Sequence, residues 1–212
     1  MGGIGPSGRV AATPAAVPQD SRDLGTHGYD IYGARVKAGG YLAATDIVIS
    51  GVAADGDDSV PALAWNSNAN QFLVAWTDTR NAPARGWDIY ARRVKAGGAM
   101  AGLDFRVVDA FALSTEADPS VAFSPDANRY LVAWMDMRDA ATEGNNIYAQ
   151  RLKAGGARLG PNYLVSGLPT DAQESNPDVA YGSGAGLYLI VWSDSRNNAT
   201  RGADIYGRTS AD

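Results

Sequence analysis

The feature that most constrains this chain is a repeat. Trp76, Trp134 and Trp192 stand 58 residues apart, and Tyr32, Tyr90, Tyr148 and Tyr206 keep the same step through the 212 residues. The second copy reads VPALAWNSNANQFLVAWTDTRNAPARGWDIYARRVKAGG, then AMAGLDFRVVDAFALSTEAD. The third gives SVAFSPDANRYLVAWMDMRDAATEGNNIYAQRLKAGG, the fourth DVAYGSGAGLYLIVWSDSRNNATRGADIYGR, and a partial first copy QDSRDLGTHGYDIYGARVKAGG. Constant spacing without insertion gives every copy an equivalent place in one structure. The copies run about 20–58, 59–116, 117–174 and 175–208; residues 1–19 read as a leader with a weak first strand, and 20–212 as a single tandem-repeat domain.

Each unit carries four strand candidates between turn signals. In the second copy these are A (Ala62–Asn66), B (Phe72–Asp78), C (Asp88–Val94) and D (Asp104–Val108). Strand B is continuously apolar, as FLVAW or YLIVW, which suits a strand covered on both faces. Strand C, DIYARRV, mixes apolar and basic residues and reads as half exposed. The A–B connections (NSNANQ, SPDANR, GSGAGL) and the KAGG after C are turn sequences of hairpin length, and 25 glycines fit such a turn-rich chain. Helix-period patterns are absent. The expected fold is therefore all-β: a β-propeller of 58-residue, four-stranded antiparallel blades, with about 3.5 repeats in the chain.

The copy number is uneven, with four B–C hairpins against three D–A pairs. If a blade is D-A-B-C, residues 44–208 supply three whole blades and a leading half, whose strand B is flanked by Pro14 and Pro18, and proline is excluded from central strands. Three outcomes follow: a four-bladed ring with one incomplete blade, an assembly of two or more chains, or a fragment of a longer protein. An open end would expose strand edges that proteins pair or cover, so self-association is an expected partnership.

The best-kept segment is the B–C connection, W-x-D-x-R-[N/D]-x4-G-x-[D/N]-I-Y. It places Asp78, Arg80 and Asp88 in one copy, Asp136, Arg138 and Asn146 in the next, and Asp194, Arg196 and Asp204 in the last; the first has Asp20, Arg22 and Asp30, with Pro18 for the tryptophan. The aspartate can accept loop N–H groups in an Asx-type turn. The arginine can donate its fork to loop carbonyls or to the carboxylate at Asp88. These residues are assigned a structural role in pinning the hairpin. Loop-tip residues Tyr29, Arg85, Trp87 and Arg201 are the ligand-binding candidates, the aromatic rings as platforms for sugars. Calcium is the one metal the clustered Asp and Asn oxygens bring to mind, but the alternation D-x-[DN]-x-[DN]-G is absent and an arginine sits in the middle; no metal ligand and no cofactor are assigned.

The string VAWxDxR…DIYxxR resembles repeat units of secreted and cell-surface bacterial proteins that accompany adhesion or hydrolase domains. The aspartate-bearing hairpin beside a tryptophan is also similar to the Asp-box of sialidase-type propellers, over Asp20 to Arg208. The Asp-box spacing S-x-D-x-G-x-x-W is not present, so the resemblance implies a structural hairpin role at Asp20, Asp78, Asp136 and Asp194 and no catalytic site. It also implies a secreted or cell-surface location, although the first residues have neither the basic start nor the apolar segment of a signal peptide.

Other classes are constrained by composition. A net charge of −5 with dispersed basic residues speaks against nucleic acid, and no apolar run approaches membrane-spanning length. No cysteine is present, and His27 is the single histidine, which excludes thiolate or multi-histidine zinc sites and Ser-His or Cys-His nucleophiles. Arginines and tyrosines at repeat positions are placed around a ring instead of converging, and no non-repeated Asp/Glu pair stands out for glycoside hydrolysis. The expectation is a non-catalytic, lectin-like module that binds a glycan or surface protein and self-associates. A structural or filament-forming assembly is the alternative, and a sialidase- or glycosidase-like enzyme is set below both.

Overall fold

A computed structural model describes residues 19–21, 28–36, 40–42, 46–51, 56–108, 114–166 and 172–211. Residues 1–18 of the 1–19 leader, with Pro14 and Pro18, and the positions Arg22 and His27 lie outside the described residues. The chain folds into four successive antiparallel sheets. Blade 1 is β1 (Gln19–Asp20), β2 (Asp30–Gly33) and β3 (Ile47–Val48). Blade 2 is β4 (Asp58–Asn66), β5 (Gln71–Asp78), β6 (Asp88–Lys95) and β7 (Phe105–Arg106), with a one-turn helix α1 (Ala82–Arg85) in its central hairpin. Blade 3 repeats this as β8 (Glu116–Ser124), β9 (Arg129–Asp136), β10 (Asn146–Lys153) and β11 (Tyr163–Leu164). Blade 4 is β12 (Glu174–Gly182), β13 (Leu187–Asp194), the one-turn helix α2 (Asn198–Arg201) and β14 (Asp204–Ala211).

The fold is a β-propeller, and the blade order is A-B-C-D. Each four-stranded sheet runs in simple meander order from β4 to β7 and from β8 to β11. Strands β4, β8 and β12 pack side by side and form the inner edge. The D-A-B-C unit expected from sequence is thus shifted by one strand: strand D is the two-residue outer edge of its own blade, not the first strand of the next. Strand A is longer than its apolar half and begins at Asp58. It passes Pro61 through a β-bulge, which the pairing records as a register shift between Ser59 and Ala62. Bulges are where a sheet accommodates proline.

Local chemistry explains the turns. Asn70 and Asn128 take positive φ of 50° and 51° at the A–B turn, and Gly186 takes 64° at the equivalent position, a conformation Asn and Gly reach at least cost. The core lies between blades. Leu73, Ala75, Ile89 and Ala91 on one face of blade 2 meet Tyr130, Val132 and Trp134 of blade 3. Leu131, Ala133, Ile147 and Ala149 of blade 3 in turn meet Val179, Tyr188, Ile190 and Trp192 of blade 4. Strand B is apolar on both sides because it is sandwiched by two neighbours.

Candidate functional site

The hairpin residues form one cluster per blade. Asp78 Oδ1 accepts the backbone N–H of Arg80 at 2.9 Å, and the Arg80 side chain folds back onto the same carboxylate, Nε donating to Oδ2 at 2.7 Å. The guanidinium reaches Asp104 at 2.8 Å rather than Asp88, and stacks 4.0 Å above the Tyr90 ring. Trp76 Nε1 donates to Asp58 Oδ1 at 3.0 Å and to Asp78 Oδ2 at 3.3 Å. Blade 3 repeats the arrangement with Arg138 on Asp136 at 2.6 Å and 3.9 Å above Tyr148; Trp134 Nε1 donates to Asp136 Oδ2 at 2.9 Å. In blade 4 Arg196 pairs Asp194 and stacks on Tyr206. The position after the arginine meets the tyrosine hydroxyl: Asn81 with Tyr90, Asp139 with Tyr148, Asn197 with Tyr206. Asp20 belongs to β1, opposite Asp30. Asp88 takes Arg106 at 3.2 Å. Where blade 3 has Leu164 in place of that arginine, it also has Asn146 in place of the aspartate, so no acid is left uncompensated there.

Behind the hairpin, each blade buries a second acid. Asp58, Glu116 and Glu174 lie directly across the strand pair from Asp78, Asp136 and Asp194. Burial, then the neighbouring Asp78, pushes Asp58 up to about 8; burial, then Asp136, pushes Glu116 up to about 8. Glu174 is raised in the same way, by burial and then Asp194. At Asp194 burial works in the same upward direction, but hydrogen bonds from the Arg196 side chain and backbone prevail and hold the carboxyl below its usual range. Among the described residues Oε2 of Glu116 and of Glu174 has no hydrogen-bond partner, which favours the neutral form. These acids are fully enclosed and packed, so they cannot touch a substrate.

The loop-tip candidates are spread over three blades. Tyr29 is half-buried and its carbonyl accepts the N–H of Asp58 at 2.8 Å. Trp87 is exposed and Arg85 half-buried on the blade 2 hairpin. Arg201 ends α2 in blade 4, exposed, 3.2 Å from Asp204. The structure brings Arg85 and Trp87 to one hairpin and leaves Tyr29 and Arg201 on others.

The inner edge holds what the repeat conceals. The bulge residues Val60, Asp118 and Asn176 occupy one repeat position, each before a proline, with positive φ of 47°, 55° and 51°. Such backbone is rare outside glycine and persists where the surroundings impose it. The chemistry at this position differs in every copy, and so does that two residues on: Ala62, Ser120, Asp178. Asp118 and Asp178 are thus non-repeated acids on adjacent inner strands. Ser120 Oγ donates to Asp178 Oδ1 at 3.0 Å and accepts the N–H of Val179 at 3.1 Å, which ties β8 to β12. The Asp178 carboxylate also accepts the N–H of Val179 at 2.9 Å. Asp118 is half-buried and is pushed above the usual carboxylate range by burial. Among the described residues no group of three or more His, Cys, Asp or Glu is arranged to hold a metal ion. In the sequence no non-repeated Asp/Glu pair stands out; placed on the inner strands, VPAL, DPSV and NPDV show two acids, Asp118 and Asp178, that depart from the repeat.

No protein-family model matches the chain, and no curated protein matches it. Solved structures do. An N-acetylgalactosamine deacetylase from F. plautii aligns with TM-score 0.59 and 9% identity over 84% of this chain and 57% of that one. An α-L-arabinanase from Penicillium chrysogenum aligns with TM-score 0.57 and 18% identity over 87% and 55%. The Hadza microbial sialidase Hz136 gives 0.56 and 11% over 73% and 35%. The chain spans between about a third and somewhat over half of these proteins' length. At such identities the likeness carries the fold alone. The sequence expectations of a non-catalytic binding module and of no enzyme are corrected against this finding: these three solved structures with this fold are of a deacetylase, an arabinanase and a sialidase, all carbohydrate-processing enzymes. The physical reason is that the hairpins follow the repeat, while the inner strands differ from blade to blade. No helix is long and apolar enough to cross a membrane among the described residues.

Proposed function

We propose that the chain is part of a carbohydrate-processing propeller whose chemistry lies at the inner-strand bulges, with Asp118 and Asp178 as the reacting pair. The observation that carries this reading is the placement of two non-repeated acids on neighbouring inner strands, with Asp178 held by Ser120, which stands two residues after Asp118. Asp118, raised by burial, is suited to donate its proton to the leaving glycosidic oxygen as the C–O bond breaks. Asp178, oriented by Ser120 Oγ and the Val179 N–H, takes a proton from the water whose oxygen bonds to the anomeric carbon. Arg80, Arg138 and Arg196 are each held by an aspartate, so they are not offered to a substrate carboxylate. That favours a neutral glycan, such as an arabinan, over a sialoside. Polysaccharides of this class are met outside the cell, in keeping with the resemblance of VAWxDxR…DIYxxR to secreted and surface proteins. The chemistry needs no cofactor.

The test is release of new reducing ends from a panel of neutral polysaccharides, with and without EDTA. Release from at least one of them, unchanged by the chelator, is the expected result. No release from any of them contradicts the proposal, and loss of release with EDTA contradicts its cofactor-free chemistry.

A further inference from the structure

One face of blade 4 is built as an interface, and none of the described residues covers it as the following blade covers blades 2 and 3. Leu189 is 48% exposed and Ile205 74% exposed. The same two repeat positions are Leu73 and Ile89 in blade 2 and Leu131 and Ile147 in blade 3, all fully buried. Each of those pairs is covered by the following blade, through an aromatic-x-aliphatic-x-Trp strand: Tyr130, Val132 and Trp134 cover blade 2, and Tyr188, Ile190 and Trp192 cover blade 3.

The backbone shows the same series. Glu116 N donates to Trp87 O at 3.0 Å and Glu174 N to Asn145 O at 3.1 Å, each tying one blade's hairpin to the next blade's inner strand. A Cβ on Gly86 would lie 2.6 Å from Ser114 O, and one on Gly144 2.1 Å from Ala172 O, whereas one on Gly202 meets nothing within 4 Å. The side chains and the glycine of blade 4 are therefore those of a covered face.

We infer that this face takes a further blade of the same repeat, one whose second strand carries aromatic-x-aliphatic-x-Trp and whose first strand begins with an acid. A second copy of this chain is poorly equipped for the role, because Phe72–Val74–Trp76, Tyr130–Val132–Trp134 and Tyr188–Ile190–Trp192 are already used between its own blades. The corresponding positions of its first repeat read Pro14, Ala16 and Pro18, without the aromatic residue and the tryptophan. The inference is independent of the chemistry proposed for Asp118 and Asp178.

The experiment supplies the blade. Residues 155–211 are appended after Asp212, which keeps the repeat spacing because Asp212 stands where Ala154 stands one unit earlier. A second variant appends residues 97–153. At least one extended chain is expected to be monomeric and to unfold in one transition at a higher midpoint than the parent. In that chain Leu189→Ala lowers the midpoint as Leu131→Ala does, while in the parent Leu189→Ala is nearly silent. Replacing the appended aromatic and tryptophan by serine should abolish the gain. The inference is overturned if both extended chains aggregate, if the added unit unfolds separately, or if Leu189→Ala stays silent in both. It is also overturned if the parent sediments as a dimer that Ile205→Lys dissociates, since a second copy would then be the occupant.

Discussion

Glu116 and Asp136 face each other across β8 and β9, and the guanidinium of Arg138 sits on Asp136. The glutamate is left in a buried place beside a carboxylate and holds its proton up to about pH 8. Asp58 does the same beside Asp78. The folded state therefore binds protons that the unfolded state has already released. Stability is fully present below the ordinary carboxylate range and is lost as pH rises from there towards about 8, after which these groups add no further slope. Glu116→Gln keeps the shape without the titration. The denaturant midpoint of this variant should fall less between pH 5 and pH 8.5 than that of the wild type; equal slopes would show that Glu116 is not held protonated. Asp136→Ala is a different lesion. It removes the partner of Arg138, of the Trp134 indole and of the loop N–H at once, and unfolding in urea should register a loss of about 3 kcal/mol or more.

At the scale of elements, the hairpin and its glycine decide how closely blades approach. Gly144 and Gly202 share positive φ, 75° and 80°, so alanine costs both of them about 1–3 kcal/mol for the backbone alone. At Gly144 the methyl also meets the carbonyl of Ala172, while at Gly202 it meets open space. Gly144→Ala should thus lower the melting temperature clearly more than Gly202→Ala; equal effects would mean that the blade 3–blade 4 approach is looser than described. The elements were largely legible in the sequence because their cause is local. Apolar FLVAW and YLIVW strands, Asn and Gly at the A–B turns, and the Trp–Asp–Arg–Tyr spacing each specify their own geometry. What was not legible is non-local. Strand A, bounded at Ala62 from its apolar run, in fact continues past Pro61 through a bulge to Asp58. The four-residue APAR and NATR segments carry no helical period, yet close a single turn because hairpin geometry holds their ends. The assignment of strand D to its own blade depends on sheet pairing that periodicity does not encode.

At the scale of the whole molecule, the repeat builds the blades, and in the proposed reading its exceptions carry the site. Asp118 and Asp178 were not legible in the sequence because they break the repeat instead of recurring in it. The comparison of VPAL, DPSV and NPDV was available, but only the inner placement of β4, β8 and β12 gives it meaning. The most direct check is the rate of sugar release by Asp118→Asn and Asp178→Asn, with Glu116→Gln as a control acid behind the hairpin. The account predicts a fall in kcat/KM of about 100-fold or more for each of the first two, with unfolding midpoints close to wild type and with Glu116→Gln fully active. Full activity in Asp118→Asn and Asp178→Asn would contradict it.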